Sequence, residues 1–172
     1  FEVMAAHAAS RGGAARAMLR IARASGADGM IGGQTADIIH EGKPADEGVL
    51  AYIQANKTGA LFCAAAVAGA ILAGADDHAV GKLDECIQKL GTAFQIKDDI
   101  LDLTSTDAEL GKPTGSDARN QKLTYPAIFG LEKAQADFER LSSQAFTEAG
   151  ELFGDAAEPL LELIKQVTGR TF

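Results

Sequence analysis

The stretch GTAFQIKDDILDLT, residues 91–104, closes a long segment that is compatible with an α-helix. It places three carboxylates, Asp98, Asp99 and Asp102, within five residues. At about 100° per residue, Asp98 and Asp102 lie about 40° apart on one helix face, and Asp99 flanks them. Because three anions this close repel one another, we expect a cation beside them. Oxygen ligands too few to enclose an ion favour Mg²⁺ shared with a phosphate over a closed Ca²⁺ cage.

Most of the remaining chain follows a helical pattern. Apolar residues recur at helical spacing, and no strand-like alternation persists. The predicted helices cover residues 1–25, 29–39, 46–56, 58–75 and 77–103, and then 125–168 with breaks at Gly130, Gly150 and Gly154. Residues 104–122 are rich in turn residues and lack an apolar period, which is typical of a functional or mobile loop. The predicted fold class is therefore all-α, a helical bundle with close packing at Ala and Gly.

Size and composition restrict the class of protein. The 172 residues, 47% of them hydrophobic, suffice for one domain with a core. A net charge of −8 argues against a nucleic-acid partner, whose binding surface is basic. Cys63 and Cys86 show no metal or redox spacing, which favours reduced core thiols in a cytoplasmic protein over a disulfide.

Residues 58–75 form an uncharged run of eighteen residues, long enough for a membrane span. Eight of them are Ala and three are Gly, and these residues contribute little transfer energy. We therefore favour a central helix of a soluble bundle and expect no stable membrane insertion.

Two polar groups precede the carboxylates. Lys57 and Thr58 sit at the predicted boundary between two helices, where a cation, a hydroxyl and free backbone N–H groups make a phosphate site. The alternative is a solvated Lys and a capping Thr. Gln34 and Asp37 share one face of a short helix behind Gly32-Gly33. The glycines permit close backbone approach, and helix packing is the favoured reason for them.

The polar loop after the carboxylates carries Lys112, Asp117 and Lys122. Basic residues on a loop beside an acidic helix are typical of a lid that brings positive charge to a bound anion. Plain surface charge is the alternative.

Together these motifs resemble the C-terminal half of the trans-polyprenyl diphosphate synthases, the family that includes farnesyl and geranylgeranyl diphosphate synthases. The similarity covers most of the chain and is greatest to the short-chain bacterial type. It is clearest in GMIGGQTADI (29–38), KTGALF (57–62), GTAFQIKDDILDLT (91–104) and LGKPTGSDARNQKLTYPAIFGLE (110–132). The resemblance implies a bundle of the isoprenoid synthase type, with residues 1–172 as its C-terminal portion.

The resemblance also implies roles for individual residues. Asp98, Asp99 and Asp102 match the second aspartate-rich motif, which holds Mg²⁺ against an allylic diphosphate. Lys57 and Thr58 match the pair that binds this diphosphate and the developing carbocation. Lys112 matches the catalytic lysine of the following loop. The implied substrate-binding residues are Gln34, Asp37, Gln95, Asp117, Lys122 and, by a looser match to a basic C-terminal tail, Arg170.

The family's first aspartate-rich motif has no counterpart here, since Asp76-Asp77 is followed by His78-Ala79-Val80. The basic residues that hold isopentenyl diphosphate lie in the same missing half. Phe1 also begins inside a helical pattern, which suggests a piece of a longer polypeptide. We therefore expect a parent prenyltransferase that condenses an allylic diphosphate with isopentenyl diphosphate. The isolated chain is expected to be inactive and to form a homodimer or higher oligomer.

Two other functions remain open from the sequence. Terpene cyclases and squalene-synthase-like enzymes also use aspartate-rich helices, although the Lys57-Thr58 pair fits chain elongation better. A non-catalytic helical subunit of a heteromeric synthase is the other alternative, and the three retained carboxylates argue against it.

Overall fold

The computed structural model of the chain describes residues 1–8, 12–105 and 122–169. Within these ranges the chain is built from helices and has no strand, which confirms the predicted all-α class. The α-helices are α1 Glu2–His7, α2 Ala14–Ser25, α3 Met30–Ile39, α4 Glu47–Ile53, α5 Ala60–Leu72, α6 Asp77–Thr104, α7 Tyr125–Phe129, α8 Leu131–Phe153 and α9 Glu158–Thr168. A π-helical segment, Gln54–Gly59, joins α4 to α5, and a 3₁₀ turn, Gly154–Ala157, joins α8 to α9.

Helix α6 is the central packing element and carries the carboxylate motif at its C-terminal end. Its first turn is capped by Asp76, whose side chain accepts a hydrogen bond from the Ala79 N–H at 2.8 Å. One face of α6 buries Leu83, Ile87 and Leu90 in a cluster with α5, α8 and α9. Further along, Ile96 and Ile100 pack on Ala134 of α8. Burial along most of its length holds this helix, and hence the motif, in place.

The predicted single helix over residues 1–25 is wrong, because the described residues form two helices, α1 and α2. Gly13 precedes α2 with φ of 82°, a left-handed conformation that few residues other than glycine adopt. A Cβ at this position would lie 2.9 Å from the Ile71 carbonyl oxygen, so glycine also allows α2 to approach α5. The Ala-rich pattern correctly predicted helical structure in this stretch. It did not predict the break before α2, where Gly13 contacts α5.

The apolar run after Lys57 continues a longer helix instead of starting one. The stretch Glu47–Leu72, 26 residues, is the single described helix long and apolar enough to cross a membrane by length and composition. One third of its most apolar window is buried inside the molecule. Cys63, Val67 and Ile71 pack against α2 and α6, while Leu61 and Leu72 are exposed. This helix is therefore a packing element of the bundle with one uncovered apolar side.

Candidate functional site

Seven of the nine predicted polar residues that the structure describes converge on one cavity of about 280 Å³. We call it the motif cavity, because Asp98 and Asp99 of α6 form part of its wall. Its described lining residues are Asp37, Leu50, Ile53, Gln54, Lys57, Thr58, Phe94, Gln95, Asp98, Asp99, Lys122, Leu123 and Thr124. They come from α3, α4, the π-helical segment, α6 and the residues before α7. The wall thus combines apolar side chains with cations, carboxylates, amides and hydroxyls.

Lys57 and Thr58 lie within the π-helical segment Gln54–Gly59. The predicted helix start at this point, with free backbone N–H groups, is therefore wrong, because the helix runs through with widened i→i+5 hydrogen bonding. Single π turns inside α-helices occur frequently at functional sites. Only the side chains of Lys57 and Thr58, and not a helix N-terminus, can therefore present donors at this point.

Two glycines let neighbouring helices approach the π-helical segment. A Cβ on Gly33 of α3 would lie 2.2 Å from the Lys57 backbone nitrogen, which no side chain permits. A Cβ on Gly91 of α6 would lie 3.1 Å from the Cα of Gly59. The π-helical segment is therefore packed directly between α3 and α6.

Lys57 is held by an ion pair with Asp37. Its Nζ lies 2.6 Å from Asp37 Oδ2, and the Asp37 side chain is only 6% exposed while that of Lys57 is 30% exposed. A buried carboxylate needs a charge partner, and this geometry supplies one. Asp37 therefore fixes the position of the ammonium group at the cavity wall. Gln34, one turn earlier on α3, is half-buried but is not among the residues lining the motif cavity.

A chain of hydrogen bonds links the π-helical segment to the carboxylate motif. The Thr58 hydroxyl donates to Gln95 Oε1 at 3.0 Å, and Gln95 Nε2 donates to Asp99 Oδ1 at 2.9 Å. The Tyr125 backbone N–H donates to the other oxygen, Asp99 Oδ2, at 2.8 Å. Asp99, which is 6% exposed, is thus oriented by donors on both oxygens.

The three carboxylates have different surroundings. Asp98 and Asp99 line the motif cavity, whereas Asp102 is 4% exposed and lies outside its lining. Among residues 1–8, 12–105 and 122–169, no three His, Cys, Asp or Glu side chains are grouped to hold a metal ion. Asp98 and Asp99 are therefore the two motif carboxylates that could offer oxygen ligands to a cation in the motif cavity.

A second polar network, which the sequence did not predict, supports Tyr125. The Tyr125 hydroxyl donates to Asp137 Oδ2 at 2.8 Å, and Lys133 Nζ and Arg140 Nη2 approach the same carboxylate at 2.5 and 2.7 Å. These donors hold the pKa of Asp137 well below its usual range. Burial, together with the hydrogen bond to Asp137, raises the pKa of Tyr125 to about 12.

The sequence predicts only part of this polar network. Lys133 and Arg140 stand four residues before and three after Asp137, a spacing that predicts helix ion pairs. Tyr125 reaches Asp137 because Gly130, with φ of 83°, turns the chain between α7 and α8. Gln54 and Phe94 were also missed as cavity residues. Gln54 lies near the end of the predicted helix 46–56, and its position relative to Lys57 depends on the π-helical segment.

The remaining predicted residues follow the carboxylate helix. Lys122 lines the motif cavity next to Leu123 and Thr124. Lys112, Asp117 and Arg170 lie outside the described residues, so their predicted roles stay predictions.

Comparison with known proteins gives the family of this chain. The polyprenyl synthetase family matches residues 1–156, and the chain belongs to this family. Farnesyl diphosphate synthase of Geobacillus stearothermophilus is 40% identical over 151 residues, which are 87% of this chain and 51% of that protein. The chain thus spans about half the length of this relative.

Solved structures of isoprenyl diphosphate synthases share the fold of this chain. A putative farnesyl-diphosphate synthase from Marinomonas sp. MED121 superposes with a TM-score of 0.77 at 34% identity, covering 91% of this chain and 52% of that one. The Helicobacter pylori geranyltransferase complexed with magnesium and isoprenyl diphosphate gives a TM-score of 0.74 at 27% identity, covering 91% and 50%. The fold is therefore that of isoprenyl diphosphate synthases, as the sequence resemblance implied.

Proposed function

We propose that the parent protein is a Mg²⁺-dependent prenyltransferase of the short-chain type, and that this chain carries its allylic diphosphate half-site. The proposed reaction condenses an allylic diphosphate with isopentenyl diphosphate. The observation that carries the proposal is the convergence of Lys57, Thr58, Gln95 and Asp98 on the motif cavity. Family membership supports the reaction class.

The wall of the motif cavity suits the ionisation of an allylic diphosphate. Cleavage of the carbon–oxygen bond places further negative charge on a diphosphate that is already anionic. The Lys57 ammonium, held by Asp37 at 2.6 Å, is a preoriented charge for this leaving group. Phe94 and Ile53 supply apolar wall, which keeps water from the carbocation.

Mg²⁺ fits the carboxylate end of the motif cavity. We propose Asp98 as the first ligand, with Asp99 and Asp102 as further members of the set. A bound Mg²⁺ would neutralise the diphosphate and stabilise it as a leaving group. Thr58 would orient Gln95 through its hydrogen bond, and Gln95 would in turn orient the Asp99 carboxylate.

Binding tests this half-site directly. Titration calorimetry of the 172-residue chain with inorganic pyrophosphate and MgCl₂ is expected to show binding that requires Mg²⁺. Asp98→Ala is expected to abolish the Mg²⁺-dependent binding of pyrophosphate. Asp155→Ala, at an exposed aspartate outside the motif cavity, is expected to retain this binding. Absence of pyrophosphate binding at millimolar concentration would contradict the half-site and favour the non-catalytic subunit.

Activity of the isolated chain is a separate question. The family's first aspartate-rich motif has no counterpart in these residues, and losing one preorganised charge stabiliser costs about 10²–10³ in rate. With several absent, we propose that this chain alone does not incorporate isopentenyl diphosphate. Product formation by the purified chain would contradict this expectation.

A further inference from the structure

Gln54 carries a buried amide group with no partner. The residue is 5% exposed and lines the motif cavity at the start of the π-helical segment. Its Nε2 is buried and has no hydrogen-bond acceptor among the described residues. The large majority of buried side-chain polar atoms in proteins are paired, so an orphaned donor at a cavity points to an acceptor that enters the cavity.

The neighbouring polar groups do not supply that acceptor. Thr58 and Gln95 are bonded to one another, and Gln95 uses its own amide nitrogen on Asp99. The Asp37 carboxylate faces Lys57. The other buried unpaired atoms of the described residues, Arg20 Nε and Ser142 Oγ, belong to residues that do not line this cavity. Gln54 therefore lines the motif cavity and carries a buried amide nitrogen that no described group satisfies.

We propose that Gln54 is a further substrate-binding residue, whose amide N–H donates to an oxygen of the bound diphosphate. This inference rests on the proposed function and adds a contact to it. A diphosphate presents acceptor oxygens only, and hydrogen bonds to an ionised acceptor are stronger than neutral ones. Gln54 lies three residues before Lys57 and lines the same cavity, so an anion bound there can accept from both. An uncharged donor adds this bond without a second charge beside the Lys57–Asp37 pair.

The test replaces Gln54 with methionine, which keeps the length of the side chain and removes the amide. Gln54→Met is expected to raise the Kd for inorganic pyrophosphate with Mg²⁺ about tenfold to a hundredfold, the range for a lost bond to a charged group. The Tm of the ligand-free chain is expected to stay the same or rise, because an unpaired buried amide is replaced by an apolar group. The control Gln135→Met, at an exposed position on α8, is expected to change neither quantity.

The two readouts separate a ligand contact from a structural role. A lower Tm for Gln54→Met than for the control would mean that the amide has a partner in the folded chain and would overturn the inference. Unchanged pyrophosphate affinity in Gln54→Met, with normal binding by the unaltered chain, would overturn this inference alone. If the unaltered chain fails to bind pyrophosphate, both the proposed half-site and the proposed role of Gln54 are refuted.

Discussion

Replacing Gly33 with alanine tests whether the close approach of α3 to the π-helical segment holds the site together. The added Cβ would lie 2.2 Å from the Lys57 backbone nitrogen and 2.8 Å from its Cα. Ordinary contact begins at 3.4 Å, so α3 must move away by about 1.2 Å. The atoms that it meets are backbone, which cannot rotate aside as a side chain would.

The magnitude follows from two opposing effects. Overpacking of this kind costs about 3 kcal/mol, while alanine in a helix gains about 0.5–1 kcal/mol over glycine. The net loss of about 2 kcal/mol lowers Tm by roughly 4–8 °C for a chain of this size. Asp37 lies one turn after Gly33, so its 2.6 Å contact with Lys57 lengthens as well, and pyrophosphate binding weakens.

Gly81→Ala is the matched control, because Gly81 lies in α6 and an added Cβ would meet nothing within 4 Å. It should gain about 0.5–1 kcal/mol and raise Tm slightly, by about 1–4 °C. Urea unfolding and thermal melts of both variants measure the difference. If Gly33→Ala were as stable as Gly81→Ala and bound pyrophosphate normally, the packing argument would be refuted.

Three further predictions concern other parts of the chain. The folded-state pKa of Asp137 lies below its unfolded value of about 3.9, so its contribution is complete above that pH and is lost as pH falls through the folded pKa. Asp137→Asn should therefore lower the unfolding free energy by about 1–2 kcal/mol at pH 7, and urea titrations should show the loss shrinking below about pH 4. Burial raises the pKa values of Cys63 and Cys86 to about 12 and about 11. A thiol reagent at pH 8 should therefore label these cysteines only after the chain unfolds. Rapid labelling of the native chain would contradict their burial. Exposed apolar residues on α3, Ile31, Ile38 and Ile39, favour self-association, and sedimentation that shows a monomer at every concentration would count against it.

Much of the site was predictable because its residues lie close together in the chain. Asp98, Asp99 and Gln95 are within one or two turns of a single helix, and helical periodicity alone assigned them to one segment. The helix predicted over residues 77–103 is observed as Asp77–Thr104. Helix packing, the favoured reason for the Gly32-Gly33 pair, is confirmed at Gly33, although the sequence did not identify the partner backbone.

The π-helical segment was not predictable, because Lys57 and Thr58 have the composition of a helix boundary. Local propensity cannot distinguish a capped start from a widened turn inside a continuous helix. The segment lies against the backbone of α3 at Gly33 and of α6 at Gly91, and both contacts join residues distant in the sequence. Tyr125 was likewise missed, since its bonds to Asp99 and Asp137 span 26 and 12 residues of sequence.

The sequence by itself determined the helical class, the carboxylate motif and the family, because periodicity and motif spacing are properties of neighbouring residues. Only the tertiary structure decided that Asp37 pairs with Lys57, that Tyr125 holds Asp99, and that Gln54 is left with a buried unpaired donor. These relations depend on which helices meet and how closely, and contacts between distant segments are set by packing of the whole chain.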